Sequence, residues 1–264
     1  MTKKLALVGG GSLSGIVAKA CADGWLEGYE LVGVWSRTYA SAQKTAALGG
    51  CRACRELDEL LALKPDYVAE AASVEAVREI AIPVLSGGAD LIALSCGAFA
   101  DEAFLAQVRD CAAAHGTRVH IPSGAIGGFD VLQTISLMGQ AAGVEEVSGV
   151  HARKAPAALK NTSLYREELE GAETDVFDGS SLDAIALLPT KVNVTVAAAL
   201  ATTGPGNTRV RITTTPGFVG DDHTITAGIG GMRATLNIFS ADSSIAGWSI
   251  VALLRNLASP IAFY

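Results

Sequence analysis

A glycine-rich turn between an apolar strand and a small-residue helix constrains this chain more than any other feature. Leu5-Ala6-Leu7-Val8 runs directly into Gly9-Gly10-Gly11, and Ser12-Leu13-Ser14-Gly15 follows in a helix-compatible pattern. Aligned as G-x-G-x-x-G/A, the three positions are Gly9, Gly11 and Ser14. Gly9 permits the tight turn, and Gly11 lets the backbone approach a phosphate without a Cβ in the way. Ser14 takes the place of the third glycine, whose smallness allows close helix-strand packing. The helix that starts near Ser14 offers free N–H groups and a favourable dipole to a pyrophosphate, and Ser12 and Leu13 of the turn join Gly9, Gly11 and Ser14 as candidate cofactor contacts. Turn-forming glycines alone produce such a motif in many chains. Here it follows a first strand, opens a helix and heads a strand-helix series, which is the context that dinucleotide binding requires.

That series fills the first 122 residues. Leu5–Gly9, Leu31–Ser36, Asp66–Ala71, Asp90–Ser95 and Arg118–Ile121 read as strands, with helices near Ser14–Gly24, Ser41–Leu48, Val74–Leu85 and Glu102–His115. Near-continuous apolar strands alternating with helices predict a parallel sheet covered on both faces. After Pro122 the pattern changes. Ser123-Gly124-Ala125-Ile126-Gly127-Gly128 reads as a small-residue loop opening a helix through about Met138. Glu146–Lys154, Thr208–Thr215, His223–Gly228 and Met232–Phe239 read as strands, Ser181–Leu188 and Val194–Thr203 as helices, and Ser244–Leu257 as one more helix. Arg209-Val210-Arg211-Ile212-Thr213 alternates cleanly, so one face of this second sheet is wet or partnered. The expected architecture is α/β: a Rossmann-type doubly wound parallel sheet, then a second α/β domain with a mostly antiparallel or mixed sheet. The expected domains are residues 1–122 for the dinucleotide and 123–242 for substrate and dimerisation, with the helix of 243–264 packing back onto the first.

Half of the residues are hydrophobic and 18% are charged, which supplies a sizeable core. The formal net charge of -7 argues against a nucleic-acid partner, which needs a dense basic surface. No apolar run is long enough to cross a bilayer, and the N-terminus reads as a strand rather than a signal peptide, so the expected location is cytoplasmic. Cys21, Cys96 and Cys111 read as core residues. Cys51 and Cys54 form a C-x-x-C pair, but no second pair completes a four-ligand set, and no metal site is expected.

The end of the second strand bears on cofactor choice. A chain that binds NAD usually carries Asp or Glu there for the ribose 2′-OH. This one has Trp35-Ser36-Arg37-Thr38. Without the carboxylate that repels a 2′-phosphate, Ser36, Arg37 and Thr38 predict preference for NADP(H), with NAD(H) as the alternative. A plain solvated role for Arg37 is the competing reading.

Three further segments concentrate unusual residues: Ile121–Gly128, Pro189-Thr190-Lys191-Val192-Asn193-Val194, and Pro216-Gly217-Phe218-Val219-Gly220-Asp221-Asp222-His223. With Pro65–Ser73, Leu94-Ser95-Cys96-Gly97-Ala98-Phe99, Ala152-Arg153-Lys154-Ala155-Pro156 and Phe177-Asp178-Gly179-Ser180, their order and spacing resemble the L-aspartate dehydrogenase family over nearly the whole chain. The resemblance implies a Rossmann domain, an α/β substrate domain whose sheet helps form a homodimer, and NAD(P)-dependent interconversion of L-aspartate with oxaloacetate and ammonia. It implies His223 as the catalytic residue, with Ala125 and Asn193 at the nicotinamide end of the cofactor and Ala72 and Ser95 among its other contacts. Arg153, Lys154 and Lys191 are the candidate substrate anchors.

The chain also departs from the family. Ser243-Ser244-Ile245-Ala246-Gly247 replaces an Asn-Pro-Lys-Thr-Ser-like stretch, Asp221 stands where asparagine is usual, and Thr215-Pro216 stands where Asp-Pro is common. One lysine fewer and one carboxylate more make the site less suited to a second substrate carboxylate. Two alternatives therefore stand beside the amino-acid dehydrogenase: an NADPH-dependent imine or carbonyl reductase on the same scaffold, and a non-catalytic NADP(H)-binding sensor.

Overall fold

The computed structural model describes residues 2–189 and 192–263. They form two compact units, one made of the chain up to Gly124 together with Ser244–Phe263, the other of Ala125–Ser243.

The first unit alternates β1 (Lys3–Val8), α1 (Ser12–Ala22), β2 (Tyr29–Trp35), α2 (Tyr39–Gly49), β3 (Arg52–Cys54), α3 (Leu57–Leu61), β4 (Tyr67–Glu70), α4 (Val74–Ser86), β5 (Asp90–Ala93), α5 (Glu102–His115) and β6 (Val119–His120). All neighbouring strands are parallel, in the order β3-β2-β1-β4-β5-β6. Leu5, Ala6, Leu7 and Val8 of β1 are buried whichever face they point to, as a sheet covered on both sides requires. Helix starts are fixed locally: the Ser73 side chain accepts from Ala76 N at 3.2 Å, and Asp101 accepts from Ala103 N and Phe104 N at 3.1 Å.

The second unit contains α6 (Phe129–Ala142), β7 (Glu146–Lys154), β8 (Thr174–Ser180), α7 (Ser181–Leu187), α8 (Asn193–Leu200), β9 (Arg209–Thr214), β10 (Asp221–Ile229) and β11 (Met232–Ser240). Its sheet runs β11-β10-β7-β9-β8 and is mixed, because β7 and β9 pair in parallel while the other neighbours are antiparallel. Burial alternates along it: Ser148, Val150, Ala152 and Lys154 of β7 and His223, Ile225, Ala227 and Ile229 of β10 share the covered face. The Ser123–Gly128 loop opens a helix at Phe129, with Gly128 at a left-handed φ of 70° as its N-cap, and the helix runs to Ala142, past the end expected near Met138. The closing helix α9 (Ser244–Ala258) belongs to the first unit. Gly247 lets it approach α1 closely, since a Cβ there would stand 2.9 Å from Ile16 Cδ1, and Ile250, Val251 and Leu254 join the core formed by Leu5, Leu7, Val17 and Ile92.

The order in which strands are added to the parallel sheet reverses between β1 and β4, the topological switch point where open α/β sheets form a crevice. The loops that leave β4 and β5 there are tied by one side chain. Glu70, 0% exposed, accepts from Ala72 N at 2.6 Å through one carboxylate oxygen and from Ser95 N at 2.9 Å through the other. Burial pushes this carboxyl up, while the N–H donors of Ser95, Ala72 and Ser73 and the Ser95 side chain act against that shift. Glu70→Leu leaves at least two buried donors without an acceptor and should cost about 2–5 kcal/mol of stability in urea unfolding. Glu70→Gln keeps one acceptor and should fall between; a loss below about 1 kcal/mol for the leucine variant would contradict the role given to the carboxylate.

Candidate active site

In the first unit the ends of β1, β2 and β4 surround a hollow of about 260 Å³ lined by Gly9–Gly11, Trp35–Arg37, Ser41, Ala71, Ala72 and Ala76. Gly9 is fixed by its surroundings as well as by its φ of 120°, because a Cβ there would stand 2.6 Å from the Ala71 carbonyl oxygen. Gly11 is different: a Cβ would meet nothing within 4 Å, so the open space above it is available to a ligand. Gly11 is also the N-cap of α1, with no side-chain cap and no acidic residue in the first turn. The N–H groups of Ser12 and Leu13 therefore precede the first intrahelical bond, from Gly15 N to Gly11 O at 3.0 Å, and have no acceptor among the described residues, as an anion site requires. Ser14 is buried rather than presented to a ligand, and its hydroxyl donates to Ala71 O at 3.4 Å. It occupies the packing position of the third glycine. This cradle fits a dinucleotide pyrophosphate.

At the end of β2, Trp35 is buried, Ser36 half-buried, and Arg37 and Thr38 exposed. The structure adds Arg55, whose guanidinium lies 4.0 Å over the Tyr39 ring while its carbonyl accepts from Trp35 Nε1 at 3.3 Å. Sequence reasoning misses Arg55 because it follows β3, a three-residue strand with little apolar signature. Ala72 and Ser95 stand on the two loops joined by Glu70.

In the second unit, Ala125 is half-buried in the loop before α6 and Asn193 is the first residue of α8. Lys191 lies outside the described residues. His223 sits on β10 between Ala152 of β7 and Ile238 of β11 and is 3% exposed. Its Nδ1 is buried and has no hydrogen-bond partner among the described residues. The antiparallel register sets Lys154 opposite Asp221, on the same face as His223, and their side chains form an ion pair. Arg153 and Asp222 point through the other face, where they pair at 2.8 Å and Arg153 lies 4.6 Å over Phe218. The structure thus brings Lys154 and Asp221 to His223 and does not bring Arg153 there. Burial, then the Lys154 ammonium, push His223 down to about 4, against the opposing pull of Asp221 and Asp222. At neutral pH the ring is uncharged and offers a basic nitrogen. Among the described residues no group of three His, Cys, Asp or Glu side chains is placed to hold a metal, and all five cysteines are free.

Residues 9–122 match the family described as "Homoserine dehydrogenase, NAD binding domain", and residues 130–257 match "Aspartate dehydrogenase, C-terminal". The chain is 31% identical to L-aspartate dehydrogenase of Methanocaldococcus jannaschii over 98% of both chains. It is 33% identical to L-aspartate dehydrogenase 2 of Bordetella pertussis over 85% of this chain and 83% of that one. The crystal structure of aspartate dehydrogenase from Thermotoga maritima covers all of both chains with a TM-score of 0.78 at 25% identity.

Because folded His223 resists protonation down to about pH 4 while an unfolded histidine protonates near 6.5, the unfolded state binds the extra proton between those values. Stability should therefore fall as pH drops through that window, by about 2 kcal/mol between pH 6.5 and 5 from this group. His223→Asn should lose less stability than the wild type over the same range in urea unfolding. Equal losses would refute the assignment.

Proposed function

Since the chain belongs to the L-aspartate dehydrogenase family, we propose that it interconverts L-aspartate with oxaloacetate and ammonia through an imine, with His223 moving the proton. The enzyme is an NAD(P)-dependent oxidoreductase, and the nicotinamide cofactor, when bound, supplies or accepts the hydride at the substrate α-carbon. Everything else is done by the chain. Ser12 and Leu13 N–H groups at the start of α1 hold the pyrophosphate above Gly11. Ala125 and Asn193 are assigned to the nicotinamide end, as the family resemblance implies, and Ala72 and Ser95 to other parts of the cofactor.

His223 carries the reading: a buried neutral imidazole whose Nδ1 no described residue uses. In the deaminating direction it takes a proton from the water that adds to the imine carbon, and returns it as ammonia leaves. The aminating direction reverses these steps. Lys154 is the cation on the same face and the proposed anchor for a substrate carboxylate, with Lys191 as a second anchor. Arg153, held by Asp222 on the opposite face, is left out of this set.

We assign NADP(H) as the preferred cofactor, supported by Ser36 and Arg37 lining the hollow at the end of β2, by Thr38 next to them in sequence, and by Arg55 stacked on the following Tyr39. The exposed outer face of the second sheet, with Val147 and Phe239 on it, supports association of two copies through that face. The free cysteines suit a cytoplasmic setting, and no helix among the described residues is long and apolar enough to cross a membrane.

Initial rates with NADPH, ammonia and oxaloacetate test the reaction. His223→Gln should lower kcat by about a hundredfold or more while the dissociation constant for NADPH stays close to the wild-type value. Undiminished turnover in the folded variant would refute the role of His223. For the cofactor, kcat/KM should favour NADPH, and Arg37→Ala should cut it by about tenfold with NADPH while leaving NADH nearly unaffected. A strong wild-type preference for NADH would overturn that assignment.

A further inference from the structure

The ion pair beside His223 is asymmetric. The Lys154 side chain is 9% exposed, whereas that of Asp221 is 40% exposed. The cation is the captive partner and the anion the one with a way out. Asp222 cannot replace it, because its side chain points through the opposite face and is committed to Arg153. A buried ammonium is costly without an anion beside it, so Lys154 needs an anionic partner at all times.

A substrate whose single carboxylate is held elsewhere makes no demand on this pair. A dicarboxylate that directs its distal carboxylate to Lys154 meets Asp221 already there. Two carboxylates on one ammonium repel each other, so the newcomer must displace Asp221 toward the solvent it already touches. We propose that Asp221 is a resident counterion that competes with the distal carboxylate of a dicarboxylic substrate for Lys154, and thereby sets the affinity for dicarboxylates over monocarboxylates. This rests on the aspartate–oxaloacetate reading for its choice of substrate, but its physical content is a competition between two anions for one buried cation. A carboxylate whose task is to hold Lys154 in place would behave in the opposite way, since its removal would weaken binding.

The test separates these roles without requiring turnover. Succinate and butyrate, which lack the oxo group, are titrated calorimetrically into the protein saturated with NADPH. Asp221→Asn, and Asp221→Ser as a second variant should the first fold poorly, are compared with the wild type and with Asp221→Asn/Lys154→Met. Asp221→Asn should bind succinate about tenfold more tightly, a gain of about 1.4 kcal/mol. Butyrate binding should be unaltered, and the double variant should lose the gain. In steady state, the KM for oxaloacetate should fall by a similar factor and by more than any change in kcat. Unchanged or weakened succinate binding in both Asp221 variants, an equal gain for butyrate, or no succinate binding by any variant would overturn the proposal. If the probes bind as expected but oxaloacetate and ammonia are never turned over, the aspartate reading fails while the counterion assignment stands.

Discussion

The carboxylate of Glu70 holds the centre of the first unit together. It is wholly buried at the end of β4, and its two oxygens take N–H groups from separate loops, those of Ala72 and Ser95. Such a group is tolerated in an apolar sheet only because its lone pairs are used, and the loops in turn have few other ways to satisfy their donors. The neighbouring Ala71 completes the linkage. Its N–H bonds to Val8 O at 2.9 Å, and its carbonyl accepts from Ser14 and lies where any side chain at Gly9 would go. Glycine turn, β4 loop and β5 loop are therefore one assembly, and the crevice at the switch point is shaped by it rather than by any single loop.

The second unit handles charge differently. Its covered sheet face is mostly alanine, valine and isoleucine, yet it carries Lys154 and His223 near one end. The lysine is balanced by Asp221, and the histidine is kept neutral by burial and by that lysine. Removing water from such a group raises the influence of every nearby charge. The protonation of His223 and the ion pair of Lys154 are thus coupled within two adjacent strands, which makes the partner of Lys154 a matter for His223 as well.

Much of this was legible in the sequence where physics writes a local signature. The apolar runs around Leu5, Leu31 and Asp90 become strands, and Glu102–His115 and Glu146–Lys154 have the bounds that their patterns predict. Three elements left no such signature. β3 is three residues long, α3 is a single short turn of helix, and β8, Thr-Asp-Val-Phe-Asp-Gly-Ser, is an edge strand whose polar residues face solvent. Strand register was beyond reach for a different reason. Alternation along the strand already sets the adjacent Arg153 and Lys154 on opposite faces, but only the pairing of β7 with β10 reveals which aspartate each answers to. Glu70, a charged residue closing an apolar strand, was visible as a type of residue, but its two donors lie on loops that only the parallel sheet brings together.

The position of α9 has a consequence for the order in which the molecule is made. The Tyr29 hydroxyl donates to Leu254 O at 2.9 Å across 225 residues of chain, and α9 seals the side of the first core that α1 leaves open. During synthesis the apolar flank of α1 must wait on the order of tens of seconds for that cover to emerge. The intervening 125–243 segment can meanwhile form its sheet. The unit whose sequence comes first is then the one completed last, and its nascent form is the stage at which the chain most needs protection from aggregation.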